Sequence, residues 1–279
     1  MAETSIPRTR AAAHTPEWNW SADQHNLPLL IASVPLAIFL LLPLIALVLR
    51  ISPAQLLNNL LNQQVAQAIW LSMITTLLSL TLTIVAGTPL AFLLARRRFR
   101  GRALLDALID LPMVLPPSVA GIALLMAFGR RGLLGQYFSA AGLEIAFTPA
   151  AVVLAQTFVA APFYVKAAMA GFAAVDRELE QAAQLDGASG RQVVRYVTFP
   201  LAGGALLAGA VMTWARALGE FGATIIFAGN FPGRTQTMPL AIYLGFELDL
   251  NIALTLAVIL LGASFAVLFL VKSVLRQRI

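Results

Sequence analysis

Long apolar runs dominate this chain, and short polar or basic segments separate them. Six runs, 27 to 49, 65 to 95, 103 to 129, 149 to 171, 200 to 228 and 250 to 272, are each long enough to cross a membrane. A helix rising ~1.5 Å per residue needs about 20 apolar residues to span a hydrocarbon layer of ~30 Å. The pattern therefore predicts an all-α, polytopic transmembrane protein of six helices. Proline interrupts the third run, glycine and charge interrupt the fifth, and their limits are the loosest of the set. Residues 1 to 26 are polar, with two prolines and no apolar run, and read as a flexible or surface-lying tail ahead of a transmembrane domain over 27 to 279. Trp18 and Trp20 end that tail either as an interfacial anchor or as loosely packed aromatics.

One stretch breaks the apolar pattern. Asp176 to Pro200, DRELEQAAQLDGASGRQVVRYVTFP, is a charged island between the fourth and fifth runs. Leu179, Ala182, Ala183 and Leu185 recur at helical spacing as a low-relief apolar face, which leaves Arg177, Glu178 and Glu180 for water or a partner. Gly187 fits a left-handed C-cap, and Ser189 with Gln192 forms the capping-box pattern of a second helix. Pro200 suits the first turn of the next span. The island thus reads helix, sharp turn, helix.

Composition agrees with the pattern: 59% of the 279 residues are hydrophobic, 11% are charged, and mean hydropathy is +0.82. These values mark an integral membrane protein. There are no cysteines, and the only two histidines, His14 and His25, lie in the tail. Disulfides, thiolate metal sites and cysteine nucleophiles are therefore excluded, and a histidine-based metal site is not expected. The net charge of +6 raises nucleic acid as a partner, but the basic residues sit beside apolar runs without interleaved exposed aromatics. Membrane topology explains them better. With a cytoplasmic N-terminus, fourteen Lys and Arg residues face inward and four outward (Arg50, Arg130, Arg131 and Arg234), with Arg216 inside a span. That bias places both termini and the island in the cytoplasm. The RRRFRGR run from Arg96 to Arg102 reads as a stop-transfer anchor.

Three further segments are candidates for function. LPMVLPPSVAG carries Pro112, Pro116, Pro117 and Ser118 within the third run, where freed carbonyls need protein or water as partners. It lines an aqueous path or serves only as a packing kink. WARALGEFGATIIFAGN sets Arg216 and Glu220 one turn apart in an apolar run, with Thr224 a turn further. Charges at membrane depth face a cavity or a bundle interior, so this pair belongs to a pathway or locks helix packing. GNFPGRTQTMPLAIY, with Arg234, Thr235 and Thr237, joins the Arg130 and Arg131 of GRRG on the outer side, as an external mouth, a docking surface or a solvated connector. The chain has no phosphate-binding glycine loop, metal-ligand spacing or nucleophile with a base, so no enzyme and no cofactor is expected in it.

The island resembles the EAA signature of permease subunits of ABC importers, through Glu180, Ala182, Ala183, Asp186 and Gly187, with Val197 to Pro200 as a variant of its ending. LPMVLPPSVAG, GRRG, ARALGEFGAT and GNFPGRTQTMPLAIY together resemble molybdate permease subunits of the oxyanion branch, and the resemblance covers about residues 65 to 245. Sulfate and thiosulfate permeases share a version of the ARALGEFGA stretch. The resemblance implies a type I ABC importer permease fold, a homodimer with the path at its interface, and molybdate or tungstate as cargo. It also implies two ATPase subunits that bind ATP and magnesium, coupled through the island, and an external oxyanion-binding protein. Arg216, Glu220, Pro116, Pro117, Ser118 and Thr224 would then line the pathway, and Arg130, Arg131 and Arg234 would form the external docking face. Membrane lipid is the remaining partner. A secondary transporter fits the broken helices too, but the island has no task there or in a channel.

Overall fold

The computed structural model describes residues 26–276. The tail expected over 1 to 26, with Trp18 and Trp20, lies outside the described residues except for Asn26. Among the described residues every regular element is a helix. The chain divides into two compact units, residues 1–46 and 47–279. Nearly all of α1 (Asn26–Leu49) belongs to the first, a 24-residue helix with Pro35 and Pro43 inside it. At ~1.5 Å per residue it is long enough to span the hydrocarbon layer by itself.

The second unit opens with α2 (Pro53–Leu60), started by a capping box between Ser52 and Gln55. Next comes α3 (Gln63–Arg96), whose 34 residues begin at the Asn62 cap and run through Pro89. After it come α4 (Arg102–Val114), α5 (Pro117–Phe128) and the short α6 (Gly135–Ala140). The central helix is α7 (Pro149–Ala174), followed by α8 (Arg177–Leu185) and α9 (Gly190–Val193). A π-helical turn over Val194–Thr198 leads without a break into α10 (Phe199–Leu218). The chain ends with α11 (Gly222–Ala228), α12 (Met238–Leu248) and α13 (Leu250–Arg276).

Among the described residues five helices are long and apolar enough to cross a membrane, or six if α4 and α5 count as one broken span. That pair is the proline-interrupted run expected over 103 to 129. The axes of α4 and α5 differ by 117°, and neither half, at 13 and 12 residues, reaches across the layer alone. The cause is the double proline. Leu115 and Pro116 both precede a proline, both are extended at ψ 136° and 134°, and Pro116 and Pro117 supply no backbone donor. The run over 200 to 228 likewise divides, ending α10 at Leu218 and restarting at Gly222. The short apolar α12 was not expected at all.

Against α7 pack α3 on one side and α10 on another. Small residues allow the closeness: a Cβ on Gly171 would lie 2.5 Å from Ala205 Cβ, and one on Gly209 2.7 Å from Ala167 Cβ. One face of α3 is buried and polar, with Ser72, Thr76, Ser79 and Thr83 three or four residues apart and Thr75 beside them. Its hydroxyls bond neighbouring elements: Trp214 Nε1 donates to Thr76 Oγ1 (3.0 Å), Thr157 Oγ1 to Ser79 Oγ (3.0 Å) and the Met238 amide to Ser72 Oγ (2.7 Å). Apolar clusters lie on either side, one of α5, α7 and α11 around Phe227 and one of α3, α7 and α10 around Phe172.

Candidate functional site

The island folds as its local chemistry dictates. Asp176 caps α8 by accepting from the Glu178 amide at 2.9 Å, and carboxylates in the first turn complement the helix dipole. The helix then stops in a Schellman arrangement, with the Ala188 amide donating to Ala183 O and the Gly187 amide to Gln184 O, both at 3.0 Å. Gly187 sits at φ +90° with nothing within 4 Å of where a Cβ would stand, so backbone conformation alone demands glycine there. Ser189 and Gln192 form the expected capping box of α9. The outer face of α8 is open: Leu179, Gln181, Ala182, Gln184, Leu185 and Asp186 are exposed, and Ala183 is half-buried.

Glu180 corrects the expectation of a carboxylate left to water or a partner. Its side chain is only 19% exposed and turns inward to Arg96, itself 11% exposed, at 2.8 Å. The same Oε1 accepts from Thr198 Oγ1 at 2.6 Å. Arg96 Nη2 also donates to Val175 O, the last residue before the island, at 3.4 Å. Arg96, Glu180 and Thr198 themselves line a cleft of about 520 Å3, with Arg97, Gln181 and Gln184 around them.

The membrane-depth candidates gather where α5 and α11 begin. Gly222 opens α11 directly against Pro117, so close that a Cβ on it would fall 2.5 Å from Pro117 Cβ. A turn further on, Gly121 meets Ala223 and Ile226 in the same way, so the two helices run parallel with their starts side by side. Arg216 Nη1 reaches Glu220 Oε2 at 2.8 Å, the Arg side chain 31% exposed and the Glu 1%. Glu220 Oε1 accepts from the Ala223 amide at 2.8 Å, so the carboxylate also satisfies a free donor at the start of α11. Glu220 is therefore a brace. Arg216 is the member of the pair that remains accessible. Pro116, Pro117 and Ser118 are exposed, whereas Thr224 is buried with no partner for its hydroxyl.

On the opposite side from the island, Arg130, Arg131 and Arg234 are all exposed. Arg130 approaches Glu144 only loosely, at 3.7 Å. Thr235 and Thr237, expected with Arg234 at the mouth, are buried instead. Thr235 Oγ1 accepts from the Phe231 amide at 3.1 Å and Gln236 Oε1 from Gln64 Nε2 at 3.2 Å, folding this connection onto α3 rather than leaving it solvated. An edge-to-face contact of Phe147 with Phe231, 6.5 Å between centroids, ties it to the segment before α7.

The helical architecture, the capped island and the paired charges agree with a comparison to known proteins: residues 87–279 match the family described as binding-protein-dependent transport system inner membrane component. The chain belongs to this family. Among other permeases it is 43% identical to the molybdenum transport system permease protein ModB of Mycobacterium tuberculosis, over 80% of this chain and 84% of the other. It is 36% identical to the sulfate transport system permease protein CysT of Salmonella typhimurium, over 85% and 87% of the two chains. Of solved structures, a bacterial alginate ABC transporter in complex with a substrate-bound periplasmic protein aligns with TM-score 0.69 at 17% identity, over 90% of this chain and 93% of that one. The fold is that of type I ABC importer permeases, and the chain is a multi-pass membrane protein.

Within this permease, two charge sets escaped the reading of the sequence. Lys166 of α7 lies 2.7 Å from Asp106 and 2.8 Å from Asp110, fastening α4 to α7. Two carboxylates one turn apart in an apolar run, with a single lysine in the next, were the available signal. In the sequence Arg96 is one of five basic residues in a short run with nothing to set it apart, and Gln181, directly before the alanine pair, carries no charge to mark it although it is exposed.

Proposed function

We propose that this permease is the membrane-spanning subunit of an ATP-driven importer of molybdate, with tungstate as a second cargo. The observation that carries this reading is the 43% identity to a molybdenum permease over most of both chains. Two copies form the membrane part in the cytoplasmic membrane, with both termini inside. Two ATPase subunits, which bind the ATP and magnesium, receive the exposed side of α8 and the turn at Ala182, Ala183, Asp186 and Gly187. A small, flat helix face suits close docking, and Gly187 supports the sharp return of the chain. An external oxyanion-binding protein docks over Arg130, Arg131 and Arg234.

The α5 and α11 starts, with Pro116, Pro117, Ser118 and Thr224, border the pathway. A tetrahedral dianion must be attracted and then released, so a site of modest strength is required. Arg216, partly neutralised by Glu220, provides such attenuated positive charge. The similarity to a sulfate permease supports sulfate as the second reading.

Reconstitution of the permease with its ATPase and binding protein in proteoliposomes tests both. ATP-dependent uptake of labelled molybdate, suppressed by excess tungstate and not by sulfate, is expected. Equal suppression by sulfate would shift the reading to sulfate, and uptake without the ATPase would make the protein a secondary transporter.

A further inference from the structure

The inward turn of Glu180 separates two roles that the island sequence merges. The open side of α8 is almost uncharged over its second turn, presenting Gln181, Ala182 and Leu185, while Glu180, the least exposed carboxylate of the helix, turns to Arg96 along the face it shares with Gln184. Its oxygen collects a hydrogen bond from the last residue of α3 and another from Thr198 at the foot of α10. Arg96 in turn holds the carbonyl of Val175, where α7 hands over to the island. Four elements meet at this point: the ends of α3 and α7, helix α8 and the start of α10. Thr198, with no exposed surface, is also the final residue of the π turn, a local widening of the helix that often marks functional sites.

We propose that Glu180 is an internal positioning residue, which with Arg96 and Thr198 carries displacement of α8 into α3 and α10, and that it makes no contact with the ATPase. This inference rests on the importer reading above. Charge-assisted bonds with little solvent access hold a fixed geometry, and loss of one member strands the other in a poorly solvated place. An external contact residue behaves otherwise, because its loss weakens subunit binding and leaves the interior unchanged.

A double-mutant cycle in the complete reconstituted transporter tests it, using Glu180→Gln, Arg96→Met and the combination. The readings are molybdate uptake per ATP hydrolysed and the amount of ATPase that co-purifies. Each single variant is expected to lower uptake per ATP about 10-fold, with the combination no worse than either single, because the two residues act as one unit. Co-purified ATPase stays at the wild-type level, while Gln181→Arg on the outer side lowers it. Multiplying effects, unchanged uptake per ATP, or loss of ATPase from Glu180→Gln alone would overturn the proposal. If the charge variants do not assemble, Thr198→Val deletes only one hydroxyl and is expected to cut uptake per ATP roughly 3-fold, in line with one hydrogen bond. A wild-type ratio in that variant overturns the proposal equally. Failure of the wild-type protein to carry molybdate bears on the cargo, and the same cycle is then read with sulfate.

Discussion

Two Arg–Glu pairs of identical 2.8 Å contact do different work in this permease. Arg216 and Glu220 are one turn apart, and the second carboxylate oxygen caps the next helix, so the pair shapes a single local break between α10 and α11. Arg96 and Glu180 are 84 residues apart and join elements the chain visits at different times. The local pair has its glutamate sealed and its arginine half-open, whereas in the distant pair both members are largely covered. A local pair therefore sets geometry and leaves a charge available. A distant one has none to spare and serves as a joint.

Perturbations of graded severity probe this contrast. The largest effect is expected from Glu220→Ala, which removes the neutralising partner of Arg216 and a cap of α11 together. Breaking a pair with so covered a member costs about 3–5 kcal/mol, seen as a large drop in the Tm of the purified complex. A Tm within a degree of wild type would show that the carboxylate is not a brace. Next is Gly187→Val, which forces a β-branched residue into the left-handed region at a cost of about 1–2 kcal/mol. Because open space surrounds that position, the loss is confined to the island. Uptake driven by ATP should fall while helix content by circular dichroism is unchanged, and normal uptake would show the turn to be dispensable. The smallest effect is expected from Glu144→Ala. Its 3.7 Å pair with Arg130 is 63% and 78% exposed, so stability should move by no more than about 0.5 kcal/mol, with any change confined to affinity for the binding protein.

The island was legible in the sequence because its structure is made by neighbours: Asp176, Gly187 and the Ser189–Gln192 box each act within four residues. Arg216 and Glu220 were legible for the same reason. Pro116 and Pro117 announced a break, but its 117° size depends on where α5 docks, which is decided by Gly121 against Ala223 and Gly222 against Pro117, contacts that join residues about a hundred positions apart. The inward turn of Glu180 was hidden because helical spacing places Leu179, Glu180 and Ala183 on neighbouring faces and says nothing of which face α3 covers. Burial of Thr235 and Thr237 was hidden likewise, since polar residues in a connection look solvated until it is known that Gln236 and the Met238 amide tie that connection to Gln64 and Ser72 of α3.

The unbroken course of α9, the π turn and α10 has one more consequence. From Gly190 to Leu218 it forms a single 29-residue rod that Thr198 ties to Glu180 of the island. Treated as a lever pivoting there, it has arms of about 12 and 30 Å at ~1.5 Å per residue. A tilt of only about 5° would carry the far end by roughly 3 Å, about the width of a water molecule, at the threshold of Arg216 and Glu220. The ratio of the arms would make this rod a mechanical amplifier, with its short arm in the island and its long arm ending at Arg216.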